Sequence, residues 1–189
     1  MVQITDAKIS RRALLSAFAA TLVTAAPTYS GAAGFLRGAG DIRRLRMTST
    51  RTGESIDMIY WVDGEYIYEA IQEISLFMRD WRTNEARDID TRVMDIMTAA
   101  HNLMDVKEPY KLLSGYRSAK TNAMLRSRSR NVARNSLHMS GKAADLQLGS
   151  RTVNQIFKAA RACKGGGVGK YPRSNFVHMD CGQLRTWNG

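Results

Sequence analysis

The chain has 189 residues, enough for one domain with its own core once an N-terminal leader is set aside. Its 44% hydrophobic content argues against disorder outside the termini, and its two cysteines, in no Cys-x-x-Cys pair, exclude a four-cysteine zinc site and thioredoxin chemistry. The net charge of +11 invites a nucleic-acid reading, but the basic residues are scattered and form no nucleic-acid-binding motif, and such a surface equally suits an anionic wall polymer or membrane face.

Ser10-Arg11-Arg12-Ala13-Leu14-Leu15 precedes a small-residue, apolar run from Ser16 to Ala26, too short to anchor stably across a bilayer. Adjacent arginines before a mild apolar run resemble a twin-arginine export signal, although Leu14 stands where Phe is usual. Residues 1–33 therefore read as a signal peptide, cleaved near Ala25-Ala26 or within Ser30 to Ala33; the alternative is an uncleaved amphipathic or anchoring helix. The expected location is the periplasm, with at most peripheral membrane contact. Residues 34–41 form a glycine-containing flexible lead-in, and residues 42–189 one domain, expected to be a monomer. After export, Cys163 and Cys181 can form one bridge or remain two buried thiols.

Ile42 to Thr48 and Glu54 to Val62 alternate as a hairpin turning at Thr52-Gly53, with another turn at Asp63-Gly64. From Tyr66 to about Trp81, residues Ile67, Ala70, Ile71, Ile74, Leu76, Phe77 and Met78 recur at helical spacing. A second helix fits Asp90 to Met104, with Val93, Met94, Met97, Ala100, His101 and Met104 on one face; His101 reads as a core histidine, not a ligand. Tyr110 to Gly115 is a strand, and Ser118 caps a helix to Leu125. A loop over Asn131 to Ser140 leads to a strand, Ala143 to Leu148, and a helix, Thr152 to Cys163, capped by Ser150 or Thr152. Gly165 to Gly169 ends that helix with unusual backbone angles expected; no Lys-Ser/Thr pair follows as a phosphate loop needs. The last strand is Asn175 to Cys181. Helices followed by short strands separated by helices favour an α+β fold.

Two of the three histidines lie close to carboxylates: His138 seven residues before Asp145, and His178 two before Asp180. Residues two apart on a strand face the same way, so His178 and Asp180 share one space. Imidazole and carboxylate are ligands that catalytic zinc favours, with one position left for water whose pKa falls to ~7. The spacing alone is equally compatible with polar residues serving turns.

Ser136-Leu137-His138-Met139-Ser140-Gly141-Lys142-Ala143-Ala144-Asp145, with Asn175-Phe176-Val177-His178-Met179-Asp180, resembles the zinc peptidases grouped with D-Ala-D-Ala carboxypeptidases and murein endopeptidases, in the hedgehog/DD-peptidase superfamily. Thr52-Gly53-Glu54, Arg79 to Thr83, Gly115-Tyr116-Arg117-Ser118, Thr121-Asn122-Ala123, Gly166 to Gly169 and Arg185-Thr186-Trp187 extend the resemblance over about residues 42–188. It implies a small antiparallel sheet flanked by helices, carrying one zinc held by His138, Asp145 and His178. It also implies that Arg117 meets a substrate carboxylate or developing oxyanion, unless it is a structural ion pair. Tyr116 and Ser136 join the substrate-binding set, Ser136 by contact or by orienting its loop. Related carboxypeptidases have Glu three residues before the last ligand, where this chain has Asn175; Asp180 then serves as general base or as partner of a ligand histidine. Arg51 stands where His is expected before Thr-Gly-Glu, and Lys170 where an aromatic residue is common. The implied function is zinc-dependent cleavage of a peptide bond in peptidoglycan cross-links or stem peptides. The rivals are a small-peptide D,D-carboxypeptidase or dipeptidase and a non-catalytic, zinc-stabilised wall-binding domain.

Overall fold

The computed structural model describes residues 39–129 and 132–189; the leader over 1–33 and most of the lead-in lie outside the described residues. Alternating apolar residues build the first hairpin, β1 (Ile42–Ser49) against β2 (Ser55–Val62), with Leu45, Met47 and Tyr60 buried and Gly53 at φ 74° in the turn. β3 (Glu65–Tyr66) then pairs back on β2. The first helix, α1 (Tyr68–Phe77), is shorter than its apolar spacing predicts: extended Ile67 lies before it and Met78 closes it. α2 (Thr91–Leu103) is capped by the Asp90 side chain, which accepts from the Arg92 N–H.

β4 (Tyr110–Ser114), α3 (Ala119–Arg128), β5 (Ala143–Gln147) and α4 (Val153–Ala162) follow where expected. Ser118 caps α3, and Thr152 with Gln155 forms a capping box on α4. His101 is a buried helix residue, its Nε2 2.8 Å from the Glu108 carbonyl and its ring edge-on to Tyr110. Asp95, fully buried, gathers Arg43 (2.7 Å), Tyr60 (3.0 Å) and Tyr66 (2.6 Å), fastening the first three strands to α2. Cys163 and Cys181 are free and buried, and burial raises both thiols to about 11.

The sheet is larger and less uniform than the small antiparallel one expected. Eight strands run in the order β3-β2-β1-β4-β5-β7-β6-β8, including β6 (Gly167–Tyr171), β7 (Phe176–Asp180) and β8 (Arg185–Asn188). Two pairs are parallel. β4 joins β1 after the crossover through α1 and α2, the length of connection a parallel pair needs. β8 reverses direction after β7 but lies beyond β6, so it runs parallel to β6.

The glycine-rich segment enters a strand at Gly167, and none of Gly165, Gly166, Gly167 or Gly169 has a positive φ. Absence of a side chain is what the fold uses. A Cβ on Gly166 would overlap the Asp180 carbonyl, one on Gly167 would meet the Asp180 carboxylate and Arg185, and one on Gly169 would overlap the Trp187 ring.

The core lies on one face of the sheet, where Val93, Met94 and Met97 of α2 and Ile156 and Ala160 of α4 share a cluster with Leu146, Val177 and Met179. No helix among the described residues is long and apolar enough to cross a membrane.

Candidate metal centre

Because Ala144, Leu146, Val177 and Met179 join the core, the alternating residues Asp145, His178 and Asp180 face the other side of the sheet. Strand register then makes a row. Ser114 pairs with Asp145, Asp145 with His178, His178 with Gly169, and Gly169 with Trp187. Directly paired residues share a face about 5 Å apart, so the row forms a floor across five strands.

His138 reaches this floor from a 3-10 turn, Leu137–Ser140, rather than from an open loop. The turn is held at both ends: the Lys142 N–H bonds the Leu137 carbonyl (3.0 Å), and the Arg117 N–H bonds the His138 carbonyl (3.2 Å). Gly141 ends it at φ 66°, pressed so closely on the Asp88 carbonyl that no side chain fits.

Three side-chain atoms converge. His178 Nδ1 lies 2.9 Å from Asp145 Oδ1, His138 Nε2 lies 3.2 Å from the same oxygen, and the two nitrogens are 3.2 Å apart. Each imidazole has its other nitrogen occupied. His138 Nδ1 is 2.7 Å from the Gly115 carbonyl, and His178 Nε2 is 2.9 Å from Asp180 Oδ2. A carbonyl and a carboxylate only accept, so those nitrogens carry protons, and in their neutral forms the two rings turn lone pairs toward Asp145. With both rings neutral, three buried acceptors face one another, an arrangement relieved by a proton on His178 or by a metal ion among them. The separations approach the ~3.4 Å edges of a tetrahedral site with ~2.1 Å bonds, so the donor set fits a divalent metal.

The electrostatics point the same way. Burial lowers the His178 pKa, but hydrogen bonds to Asp145 and Asp180 and their charges outweigh it and raise it to about 9. Burial also pushes Asp145 upward, yet the charges and hydrogen bonds of His138 and His178 hold it well below the usual carboxylate range. His138, fully enclosed, is lowered chiefly by burial. The site favours a positive charge at its centre and a neutral His138.

The other expected site residues are placed unequally. Asp180 is completely buried and saturated: it accepts from His178, from the Gly167 (3.1 Å) and Gly182 (2.9 Å) N–H groups, and from Arg185 through two nitrogens (3.2 and 2.7 Å). Arg117 Nη2 donates to Asp145 Oδ2 and to the Ser114 hydroxyl, each at 3.2 Å. Tyr116 packs partly against the core, its N–H on the Met78 carbonyl (2.7 Å). The Ser136 carbonyl accepts from Met139 (3.0 Å), opening the turn that carries His138.

Three residues read from the sequence only as parts of family-matching stretches, with no site role, belong with the cluster. Arg185 anchors Asp180, Gly169 completes the row, and Trp187 lies 5.3 Å from His178 between ring centroids, its Nε1 donating to the Tyr171 hydroxyl (2.8 Å). Arg185-Thr186-Trp187 alternates, placing Arg185 and Trp187 on one face, which joins its family match as the signal the sequence offers for them. A separate groove of about 680 Å3, lined by Lys158, Arg161, Lys164 and Leu184, meets the cluster only through Arg185.

The chain is similar to known proteins over most of its length. The Peptidase_M15_2 family model, described as peptidoglycan L,D-endopeptidase MepK, matches residues 37–187. The peptidoglycan L,D-endopeptidase MepK of Escherichia coli (strain K12) is 41% identical over 145 residues, 77% of this chain and 80% of that protein. The probable peptidoglycan L,D-endopeptidase MepK of Haemophilus influenzae (strain ATCC 51907 / DSM 11121 / KW20 / Rd) is 35% identical over 148 residues, 78% of this chain and 80% of that protein. With a family match across nearly all of its described residues and relatives at these identities, the chain belongs to the Peptidase_M15_2 family of metallopeptidases.

Proposed function

We propose that the chain is an exported, zinc-dependent endopeptidase that hydrolyses an L,D peptide bond in peptidoglycan. The convergence of His138 Nε2, His178 Nδ1 and Asp145 Oδ1, with both outer ring nitrogens spoken for, carries this reading. The relatives' names supply the substrate and the L,D bond, and favour the endopeptidase over the carboxypeptidase and wall-binding alternatives.

His138, Asp145 and His178 would hold the zinc, which supplies Lewis acidity toward a peptide carbonyl and an activated water at neutral pH. Asp180 acts as a positioning residue: saturated by four partners, it fixes the His178 tautomer and ring plane. Arg117 occupies Asp145 Oδ2, which turns Oδ1 to the centre, and brings a guanidinium to the edge of the floor where negative charge develops. Ser136 orients the His138 turn and Tyr116 seats the Arg117 segment on the core. Residues 1–33 act as the export signal, which delivers a monomer to the periplasm where peptidoglycan lies.

Digestion of cross-linked peptidoglycan fragments by the mature chain, read by mass spectrometry, tests this. New uncross-linked fragments, ending at an L,D bond and absent with chelator or with His138→Ala, are expected. A zinc-loaded chain that releases only single terminal residues, or nothing, overturns the endopeptidase reading.

A further inference from the structure

Four arginines gather on the β4 side of the floor, and their charges are used differently. Arg79 bonds Glu54 through two nitrogens (3.0 and 2.9 Å), and Arg117 bonds Asp145. Arg51 and Arg82 form no ion pair with a carboxylate among the described residues. Both guanidiniums lie over the ring of Trp81 instead, Arg82 at 4.0 Å and Arg51 at 5.5 Å from its centroid. The ring itself is 37% exposed.

Three backbone ties fix this group beside the floor. The buried carboxylate of Asp80 accepts the Arg82 N–H (3.0 Å) with one oxygen and the Ser118 N–H (2.9 Å) with the other, so Arg82 and the residue after Arg117 hang from one side chain. The Arg117 N–H bonds the His138 carbonyl. Arg51 sits in the β1–β2 turn, where the Thr50 N–H bonds the Leu112 carbonyl (3.4 Å), two residues before Ser114 at the start of the row. Burial lowers the Arg82 pKa; Asp80 opposes this, while Arg51, Arg117 and Arg128 add to it by repulsion, as cations sharing one region do.

We propose that Arg51, Arg82 and the face of Trp81 form a subsite for a carboxylate of the peptidoglycan peptide, flanking the bond held over the His138–Asp145–His178 centre. This rests on the endopeptidase reading. Two guanidinium forks without acidic partners can take a carboxylate in bidentate fashion, and stacking on an aromatic plate restrains them before the ligand arrives. The far end of the row carries Trp187, with stacked Tyr171 and Phe176 beside it. The floor therefore has a cationic end and an aromatic end, and the substrate is read by charge on one side of the scissile bond.

The test compares a cross-linked peptidoglycan peptide with the same peptide whose free carboxylates are carboxamides. Wild type is expected to favour the carboxylate form about ten-fold in kcat/KM, through KM. Arg51→Gln with Arg82→Gln removes that preference, and Arg82→Lys restores only part of it, since a point charge lacks the fork. Calorimetric binding of an uncross-linked stem peptide, acid against amide, is measured on the same holoenzyme chains whether or not they cleave. A double variant that folds with wild-type melting temperature and keeps the wild-type preference overturns the subsite, as does a wild type that binds acid and amide alike. Carboxylate-dependent binding that the double variant loses, without any cleavage by wild type, supports the subsite and overturns the endopeptidase reading instead.

Discussion

Trp187 lies against His178, ring centroids 5.3 Å apart, because the residue between them in the sheet has no side chain. Gly169 pairs with both, and its open position lets the indole fold inward from edge strand β8 over the floor of the site. The indole shields one side of the His178 ring from water, and a drier site strengthens every charge interaction within it.

Gly169→Ala therefore acts on the site without touching a ligand. Its backbone is ordinary strand, so the methyl causes no dihedral strain, but it would overlap the Trp187 ring. Displacing that ring costs ~1–3 kcal/mol as overpacking. The expected outcome is a melting temperature lowered by a few degrees, an altered tryptophan fluorescence spectrum, and slower peptidoglycan cleavage with one metal still bound. An unchanged rate alongside a shifted spectrum removes Trp187 from the site.

Asp180→Asn tests the positioning role. An amide at this place can still accept from one or two neighbours but no longer carries the charge that holds His178 Nε2–H and Arg185. Loss of such an outer partner typically weakens metal affinity ~10–100-fold. Competition with a chromophoric chelator should show that weakening, with activity recovered at saturating zinc. If saturating zinc leaves the variant inactive, Asp180 acts directly on protons and the general-base role returns.

Local rules reached only part of the His138–Asp145–His178 cluster: period-two alternation puts His178 and Asp180 on one face, but spacing alone left the three-residue set open, and the family resemblance named it. Hairpin and helices followed from apolar spacing in the same way. What stayed hidden depends on register. Nothing local tells that Asp145 pairs with His178, or that Arg117 would take Asp145 Oδ2. β6 was hidden for another reason: its glycines read as a helix end with unusual backbone angles, but here they admit the Asp180 carbonyl, Arg185 and Trp187. β8, four mostly polar residues on an edge, has no buried face to impose a pattern. The parallel pairs followed from strand order, which only the assembled sheet reveals.

Asp145 and Arg117 separate a ligand from its brace. Both are more than nine-tenths buried, but they are not equally dependent on each other: Asp145→Asn leaves the Arg117 guanidinium without its carboxylate, at a cost of ~3–5 kcal/mol, whereas Arg117→Gln leaves Asp145 paired with His138 and His178. Asp145→Asn should lose stability of that size in denaturant titrations with chelator present, and Arg117→Gln less. Metal analysis then divides them: Asp145→Asn holds no zinc, and Arg117→Gln holds one per chain. A zinc-free Arg117→Gln would show that the brace is needed to form the site at all.

Asp80 links pH to the same region. Burial pushes its pKa up, but hydrogen bonds from the Thr121 hydroxyl and from Ser118 and Arg82 outweigh this and hold it below the usual 3.8. The folded value is lower than the unfolded one, so between them the unfolded chain binds more protons and stability rises with pH. Asp80 thus contributes fully above its unfolded value and less as pH falls through the folded one. Asp80→Asn, whose amide can accept from only one of the Ser118 and Arg82 N–H groups and turns an NH2 toward the other, should cost ~1–3 kcal/mol at neutral pH. The gap between wild type and variant should narrow below about pH 4, followed by urea titration across pH 2 to 7. A gap independent of pH would mean that Asp80 works by shape and packing, and that its charge does not hold Arg82 and Ser118 in place.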